Sequence, residues 1–203
     1  IKELNTTDIQ SLGAILNYLE LTQKENIPLI NEIEIVDEKN YMQIDDFSVR
    51  SLEIFQTNFG DKKGSLLDSI DRTKTAVGGR LLKNFLKSPL VKKEKIIERH
   101  NLVSEFVDNN EVSSQIIKIL SNQPDAERAL LRISARTNNP RDLILIINFL
   151  KSSELIYLEL EKIKNPLINS LFLHNDSKKK LVSLKEKLEK NIMEVPPVNI
   201  NEG

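Results

Sequence analysis

Apolar positions along this chain recur mostly every three or four residues, the period of one face of an α-helix. Over residues 7–24, Ile9, Leu12, Leu16 and Leu19 share such a face. Thr7 and Gln10 have capping-box spacing, so the pattern predicts a first helix that stops before Asn26 and Pro28. Residues 32–36 and 41–44 break the period. They alternate apolar and polar on either side of Asp37-Glu38-Lys39-Asn40, which predicts a small antiparallel β-hairpin. Asp45 or Asp46 is placed to cap a short helix through residues 48–54, and residues 58–64, with two glycines and mixed charge, read as a loop tip.

The most particular stretch is residues 66–90, LLDSIDRTKTAVGGRLLKNFLKSPL. A short apolar turn leads into Asp71-Arg72-Thr73-Lys74-Thr75, and then a helix begins. The Thr75 hydroxyl is placed to accept from an amide one turn on. Leu81, Leu82, Phe85 and Leu86 form one apolar stripe, with Phe85 as a core anchor. Ser88-Pro89 ends the helix, because a residue before proline avoids the α region. Gly78-Gly79 reads as close packing, where missing side chains let another backbone approach.

Beyond Pro89 helix follows helix. Residues 93–107 send Ile97, Val103, Phe106 and Val107 towards a core, and 112–120 form a shorter helix. Helices over 125–134 and 141–163 each follow a proline, Pro124 and Pro140, at a position where a helix begins. The second carries a broad stripe of Leu143, Ile146, Ile147 and Leu150. A brief helix spans 166–173 and a last one 177–193, with Leu181, Leu184 and Leu188 on one face, before Pro196-Pro197 forces an extended exit. The fold class expected is mainly α: a helical bundle with one small β-hairpin near its N-terminus.

Composition narrows the chemistry. The 203 residues suffice for one or two domains with a real core, and there is no cysteine for a disulfide or thiolate site. Net charge is −1, so the whole chain is no general attractor of nucleic acid. No apolar run reaches the length of a membrane span. The chain opens on Ile1 rather than methionine, as expected of an excised or processed piece. Neither a phosphate loop nor a dinucleotide-binding glycine pattern occurs. His100 and His174, the only histidines, lack helical zinc spacing, so His100 reads as a partly buried helix residue and His174 as a loop or cap residue. The paired carboxylates Asp45/Asp46 and Asp68/Asp71 are explained by capping and ion pairing.

From residue 72 to 95 the bases Arg72, Lys74, Arg80, Lys83, Lys87, Lys92, Lys93 and Lys95 face Glu94 alone. Arg72, Lys74, Lys83 and Lys87 are weak candidates for contacts with DNA phosphates, weighed against a solvated face that pairs with acids elsewhere. Asp125, Glu127, Arg128, Arg132 and Arg136 alternate in sign at helical spacing and read as inter-helix salt bridges, or as an Asp125–Arg128 pair within one helix.

Several separated segments, in order, resemble the MutS mismatch-repair family. Tyr18-Leu19 with Thr22-Gln23 resembles Leu-x-Tyr-Leu-x-x-Thr-Gln, and residues 42–53 resemble Met-x-Leu-Asp-x-x-Thr-x-Arg-Asn-Leu-Glu, with Ser51 in place of Asn. Residues 67–90 resemble Leu-Asp-x-Thr-x-Thr-x-Met-Gly-x-Arg-x-Leu before Trp-Leu-x-x-Pro-Leu, with Val77 for Met and Phe85 for Trp. Residues 97–106 resemble Ile-x-x-Arg-x-x-x-Val-x-x-Phe. Residues 125–136 resemble Asp-Leu-Glu-Arg…Arg-Ile, with Ala126 for Leu, and Pro140-Arg141-Asp142-Leu143 matches as it stands. Pro196-Pro197 and Glu202-Gly203 resemble the Pro-Pro…Asp-Gly that precedes the family's clamp.

The resemblance implies that residues 1–28 are the last helix of a connector region. Residues 29–203 would then be the first segment of the core, domain III, truncated before the clamp and the ATPase. It implies a parent ATPase, using ATP and Mg, that binds mismatched duplex DNA as a homodimer, works with a MutL-type repair partner, and acts in the bacterial cytoplasm beside the nucleoid. This segment itself is then expected to hold no cofactor and no catalytic residue. Asp71, Thr73, Thr75, Gly78, Arg80, Phe85, Glu127, Arg128 and Arg136 are its structural motif residues. The alternatives are a stand-alone helical protein-interaction module, the core of a MutS paralogue that binds DNA junctions, and, least supported, a small enzyme.

Overall fold

The computed structural model describes residues 4–23, 38–137, 139–169, 171, 175–193 and 195–197. Its elements are α1 (Thr6–Gln23), a 3-10 turn (Glu38–Asn40), α2 (Asp46–Ser51), α3 (Leu66–Ile70), α4 (Ala76–Lys87), α5 (Lys93–Asp108), α6 (Asn110–Ser121), α7 (Ala126–Ser134), α8 (Pro140–Leu160), α9 (Pro166–Asn169) and α10 (Asn175–Asn191). The fold is mainly α.

The 21-residue α8 is the spine. Pro140 occupies its first turn, where a missing N–H costs nothing. Asp142, one position further in, accepts from the Asn139 N–H at 3.0 Å. The same carboxylate takes two donors from Arg132 on α7, Nε at 3.0 Å and Nη2. Asp142 is only 2% exposed, so these three N–H groups replace the water it has lost. The Arg132 guanidinium beside it holds its carboxyl below the ordinary aspartate value, against the opposing effect of burial.

Two hydrophobic clusters flank α8. Ala129 of α7 packs with Ile146 and Leu150, joined by Ile133, Leu145 and Leu188. Near the other end Leu160, Ile163 and Ile168 pack with Ile116 of α6, joined by Leu102, Phe106, Val112, Leu120 and Ile156. The α10 helix runs antiparallel along α8. Lys151 meets Glu189 at 2.9 Å, Lys185 meets Glu154 at 2.6 Å, and Lys178 meets Glu161 at 3.5 Å, so the partner number falls as the α8 number rises.

Two helices end on a residue other than glycine in the left-handed region. At the end of α7, Arg136 has φ +55, its N–H donates to Ile133 O at 3.0 Å, and the Thr137 N–H reaches Arg132 O at 2.9 Å. At the end of α2, Glu53 has φ +50, with Glu53 N–H to Arg50 O at 2.9 Å and Ile54 N–H to Val49 O at 3.1 Å. Both are Schellman closures, in which these bonds satisfy the carbonyls left over by the helix.

Several expectations are corrected. The first helix is capped by the reciprocal pair Asn5 and Asp8, at 3.0 and 2.9 Å, rather than by Thr7 and Gln10. The first arm of the expected hairpin lies outside the described residues. Tyr41 of its second arm forms a single antiparallel bridge with Leu90, flanked by Met42 N–H to Pro89 O at 2.8 Å. Ile97, Val103 and Val107 are exposed, and α5 turns Leu102 and Phe106 inwards instead. Leu81 is half exposed and Phe85 only partly buried, so the α4 stripe has no full cover among the described residues. In α10 Leu188 reaches the core while Leu181 and Leu184 stay exposed, since α8 alone packs along that helix. His100 is exposed rather than partly buried, and His174 lies outside the described residues. The chain as a whole exposes 15829 Å², against about 9,700 Å² for a compact monomer of this mass, which is why so many apolar stripes find no partner.

The Asp142 carboxyl titrates lower in the folded chain than in the unfolded one, so the unfolded chain takes up the proton first as pH falls. The stabilisation is therefore full above about pH 4 and lost as pH drops through the folded-state value. Asp142→Asn is expected to cost about 2 kcal/mol at pH 7, the worth of charge-assisted hydrogen bonds to a buried group, with a partly exposed arginine keeping it below a fully buried pair. Urea unfolding of both proteins checks this: the difference should shrink steadily below pH 4. A difference of the same size at pH 7 and pH 2.5 counts against the ion pair as its source.

Candidate functional site

The segment from Asp71 to Arg80 is built as a joint. Asp71 ends α3, its N–H donating to Leu67 O at 2.9 Å. Its Oδ1 then accepts from the Thr73 N–H at 3.1 Å and from the Thr73 hydroxyl at 2.7 Å, which fixes the polar turn. These bonds hold the Asp71 carboxyl below its ordinary value, the hydroxyl contributing most. Thr75 caps α4, its Oγ1 accepting from the Gly78 N–H at 2.9 Å.

The glycine pair serves this turn rather than a second helix. A Cβ on Gly78 would stand 3.0 Å from Thr75 Oγ1 and 3.5 Å from Thr73 Cβ, and one on Gly79 would stand 3.4 Å from Thr73 Oγ1. What approaches the glycines is therefore the threonine side chains of their own N-terminal turn, not another backbone. The amides are used as well, Gly78 N–H by the Thr75 hydroxyl and Gly79 N–H by Thr75 O at 3.0 Å. No free amide nest remains there, so these residues do not fit a nucleotide phosphate.

One turn into α4, Arg80 faces the start of α7. Its Nη1 and Nη2 donate to both oxygens of Asp125, at 2.9 and 2.8 Å, and Nη2 also reaches Glu127 at 2.5 Å. A planar guanidinium binding one carboxylate through two parallel bonds gives geometric as well as electrostatic definition. Asp125 also caps α7, accepting from the Arg128 N–H at 3.4 Å, and takes Arg128 Nε at 3.4 Å. Arg80 above all holds the Asp125 carboxyl below its ordinary value, and the guanidinium's own pKa is raised in return. Three further contacts radiate from this region. The Arg99 guanidinium of α5 lies 3.7 Å from the centroid of the Phe85 ring, Lys83 lies 5.4 Å from that of Phe55, and Lys95 pairs with Glu98 at 3.1 Å.

The remaining motif residues divide. Glu127 bridges α7 to α4, Arg128 pairs within α7, and Arg136 makes no ion pair among the described residues, its role being the left-handed stop. Of the phosphate candidates, Arg72 donates to the Asp71 carbonyl at 3.0 Å and Lys83 sits over a ring, while Lys74 and Lys87 are exposed without an ion pair among the described residues. Sequence reasoning missed Arg132–Asp142 and Arg99–Phe85. The first was signalled by an aspartate two positions after a helix-starting proline, the site where a carboxylate closes a capping box. Among the described residues no group of three His, Asp or Glu could hold a metal ion, and no helix is long and apolar enough to cross a membrane.

The family model for MutS domain III matches residues 48–203. The chain belongs to the MutS family. Across its whole length it is 36% identical to the DNA mismatch repair protein MutS of Rickettsia bellii (strain OSU 85-389) and 35% identical to that of Rickettsia rickettsii (strain Sheila Smith). It is 41% identical to that of Wolbachia pipientis wMel over 72% of the chain. It spans 23% of the length of the Rickettsia MutS proteins and 17% of the Wolbachia one. The matched MutS region holds the whole of the joint, so Arg80 and the Asp125-x-Glu127-Arg128 element, separate motifs in sequence, are the two halves of one ion-pair cluster.

The two glycines should respond differently to alanine. Gly79→Ala meets only ordinary van der Waals contact and should raise stability by roughly 0.5–1 kcal/mol through helix propensity. Gly78→Ala pushes on the capping hydroxyl, and a cap is worth about 1 kcal/mol, so its gain should be cancelled. Thermal unfolding of both variants decides it; an equal rise in Tm would show that the cap is not crowded.

Proposed function

We propose that this chain is the first segment of the helical core of a MutS-type mismatch-repair ATPase, a lever between a nucleotide site and a DNA clamp that lie outside it. In this reading residues 1–28 close the connector region and 29–203 begin domain III. The parent binds mismatched duplex DNA as a dimer, uses ATP and Mg, and acts with a MutL-type partner in the bacterial cytoplasm. The segment itself carries no chemistry: its charged groups are spent on one another and on helix ends.

The observation that carries the reading is an unbroken series of charge-assisted contacts through three helices. Arg80 of α4 grips Asp125 at the start of α7, and Arg132 near the end of α7 grips Asp142 at the start of α8. Each contact joins a rigid helix to the next, and α8 then runs 21 residues through both hydrophobic clusters. Packed helices linked this way shift as bodies between discrete arrangements, as a lever requires.

The test uses the complete gene product. Arg80→Ala should leave ATP hydrolysis without DNA within about twofold of the parent. It should weaken ATP-driven release from a mismatched duplex at least fivefold, a loss of about 1 kcal/mol of coupling. Unchanged release in the variant sinks the lever reading.

A further inference from the structure

A cleft of about 390 Å³ lies between α2 and the loop that follows it. Arg50, Phe55, Gln56, Thr57, Asn58 and Gly60 line it, with no carboxylate among its walls. The loop is held rigidly. Its ends are tied by Leu66 N–H to Glu53 O at 3.0 Å and Leu67 N–H to Ile54 O at 2.9 Å. Glu53 Oε1 accepts the Asn58 N–H at 2.7 Å, and Thr57 closes the tip through Thr57 N–H to Asp61 O at 2.8 Å and Gly60 N–H to Thr57 O at 2.9 Å. Such a frame presents its side chains already in place, which lowers the ordering cost of binding.

Three features of this cleft have no use within the described chain. Arg50 makes no ion pair among the described residues, although Arg80 and Arg132 are each engaged with carboxylates. Phe47, one helical turn before Arg50, is 79% exposed, and Phe59, between two lining residues, is 93% exposed. Amide groups of Gln56 and Asn58 and the Thr57 hydroxyl line the walls between them. A recessed guanidinium flanked by two bare aromatic rings is the pattern of an interface anchor, where arginine and aromatic residues dominate.

We propose that this cleft receives a protein segment carrying one carboxylate flanked by apolar residues. Arg50 is its charge partner, and Phe47 and Phe59 cover the apolar flanks. Charge selects a peptide over a nucleic acid backbone. The single free cation of the cleft stands beside the exposed acids Asp45, Asp46 and Asp61, which repel a polyanion but leave room for one carboxylate. The inference stands on this cleft alone and is independent of the lever reading.

The test places the photo-crosslinking residue p-benzoylphenylalanine at position 59 of the complete gene product, where exposure lets it replace Phe59 without disturbing a core. Irradiation with and without added duplex DNA, followed by mass spectrometry, identifies what lies against the cleft. The expected result is a cross-link to a segment with Asp or Glu beside apolar residues, in the same polypeptide or in a co-purified partner. Its yield should fall at least fivefold in Arg50→Glu and return when the identified acid is changed to arginine. Circular dichroism of Arg50→Glu and Arg50→Gln should match the parent, because Arg50 supports no contact in the fold. No cross-link, a cross-link to DNA, one to a segment lacking a carboxylate, or a yield indifferent to Arg50→Glu each overturns the proposal.

Discussion

A carboxylate taken out of water must be satisfied or neutralised, and Asp142 is where this chain meets that demand most severely. The three N–H groups around it come from two different elements: the residue that caps α8 and an arginine on α7. Meeting the demand therefore sets the direction of α8, the register of α7 against it, and the turn between them. Ala129, with no side chain beyond Cβ and no exposure, then lets α7 lie close to Ile146 and Leu150. The rest of the packing follows from where α8 has been put, since both clusters and all of α10 are arranged along it.

The joint before α4 uses the same kind of bond at a less buried place. Arg80 is about a third exposed, so its link to Asp125 defines geometry more than it adds stability. Around it the turn is over-determined by short local bonds, Asp71 to Thr73 and Thr75 to Gly78, each made within a few residues of sequence. Locally fixed turns joined by long-range ion pairs give helices a defined angle with little apolar burial at the joint. That is consistent with an α4 that has no fully buried residue and yet touches α5, α7 and the loop before α3.

Much of this was legible in the sequence, for identifiable reasons. Helices starting at Pro140 and Thr75 carry their start signals in adjacent residues, and the α8 stripe of Ile146, Ile147 and Leu150 faces a core because helices pack on it from more than one side. Ile97, Val103, Leu81 and Leu184 were misjudged because periodicity states which residues share a face, not whether a neighbour is there to cover it. The role of the glycine pair was misread since the atoms that crowd it belong to threonines three to six residues earlier, a distance at which side-chain direction matters more than spacing. Arg136 looked like one more member of an alternating charge series. Its backbone angle, which no charge pattern encodes, assigns it to helix termination instead.

The arrangement of the two clusters on α8 has a consequence for how the molecule opens. At 21 residues α8 is about 30 Å long, and its clusters draw on separate helices, α7 and α10 near one end, α5, α6 and α9 near the other. No buried side chain belongs to both. Each end thus forms its own cooperative unit for amide exchange, able to loosen while the other stays closed, and the free energy of opening one end reaches the other mainly along the backbone they share.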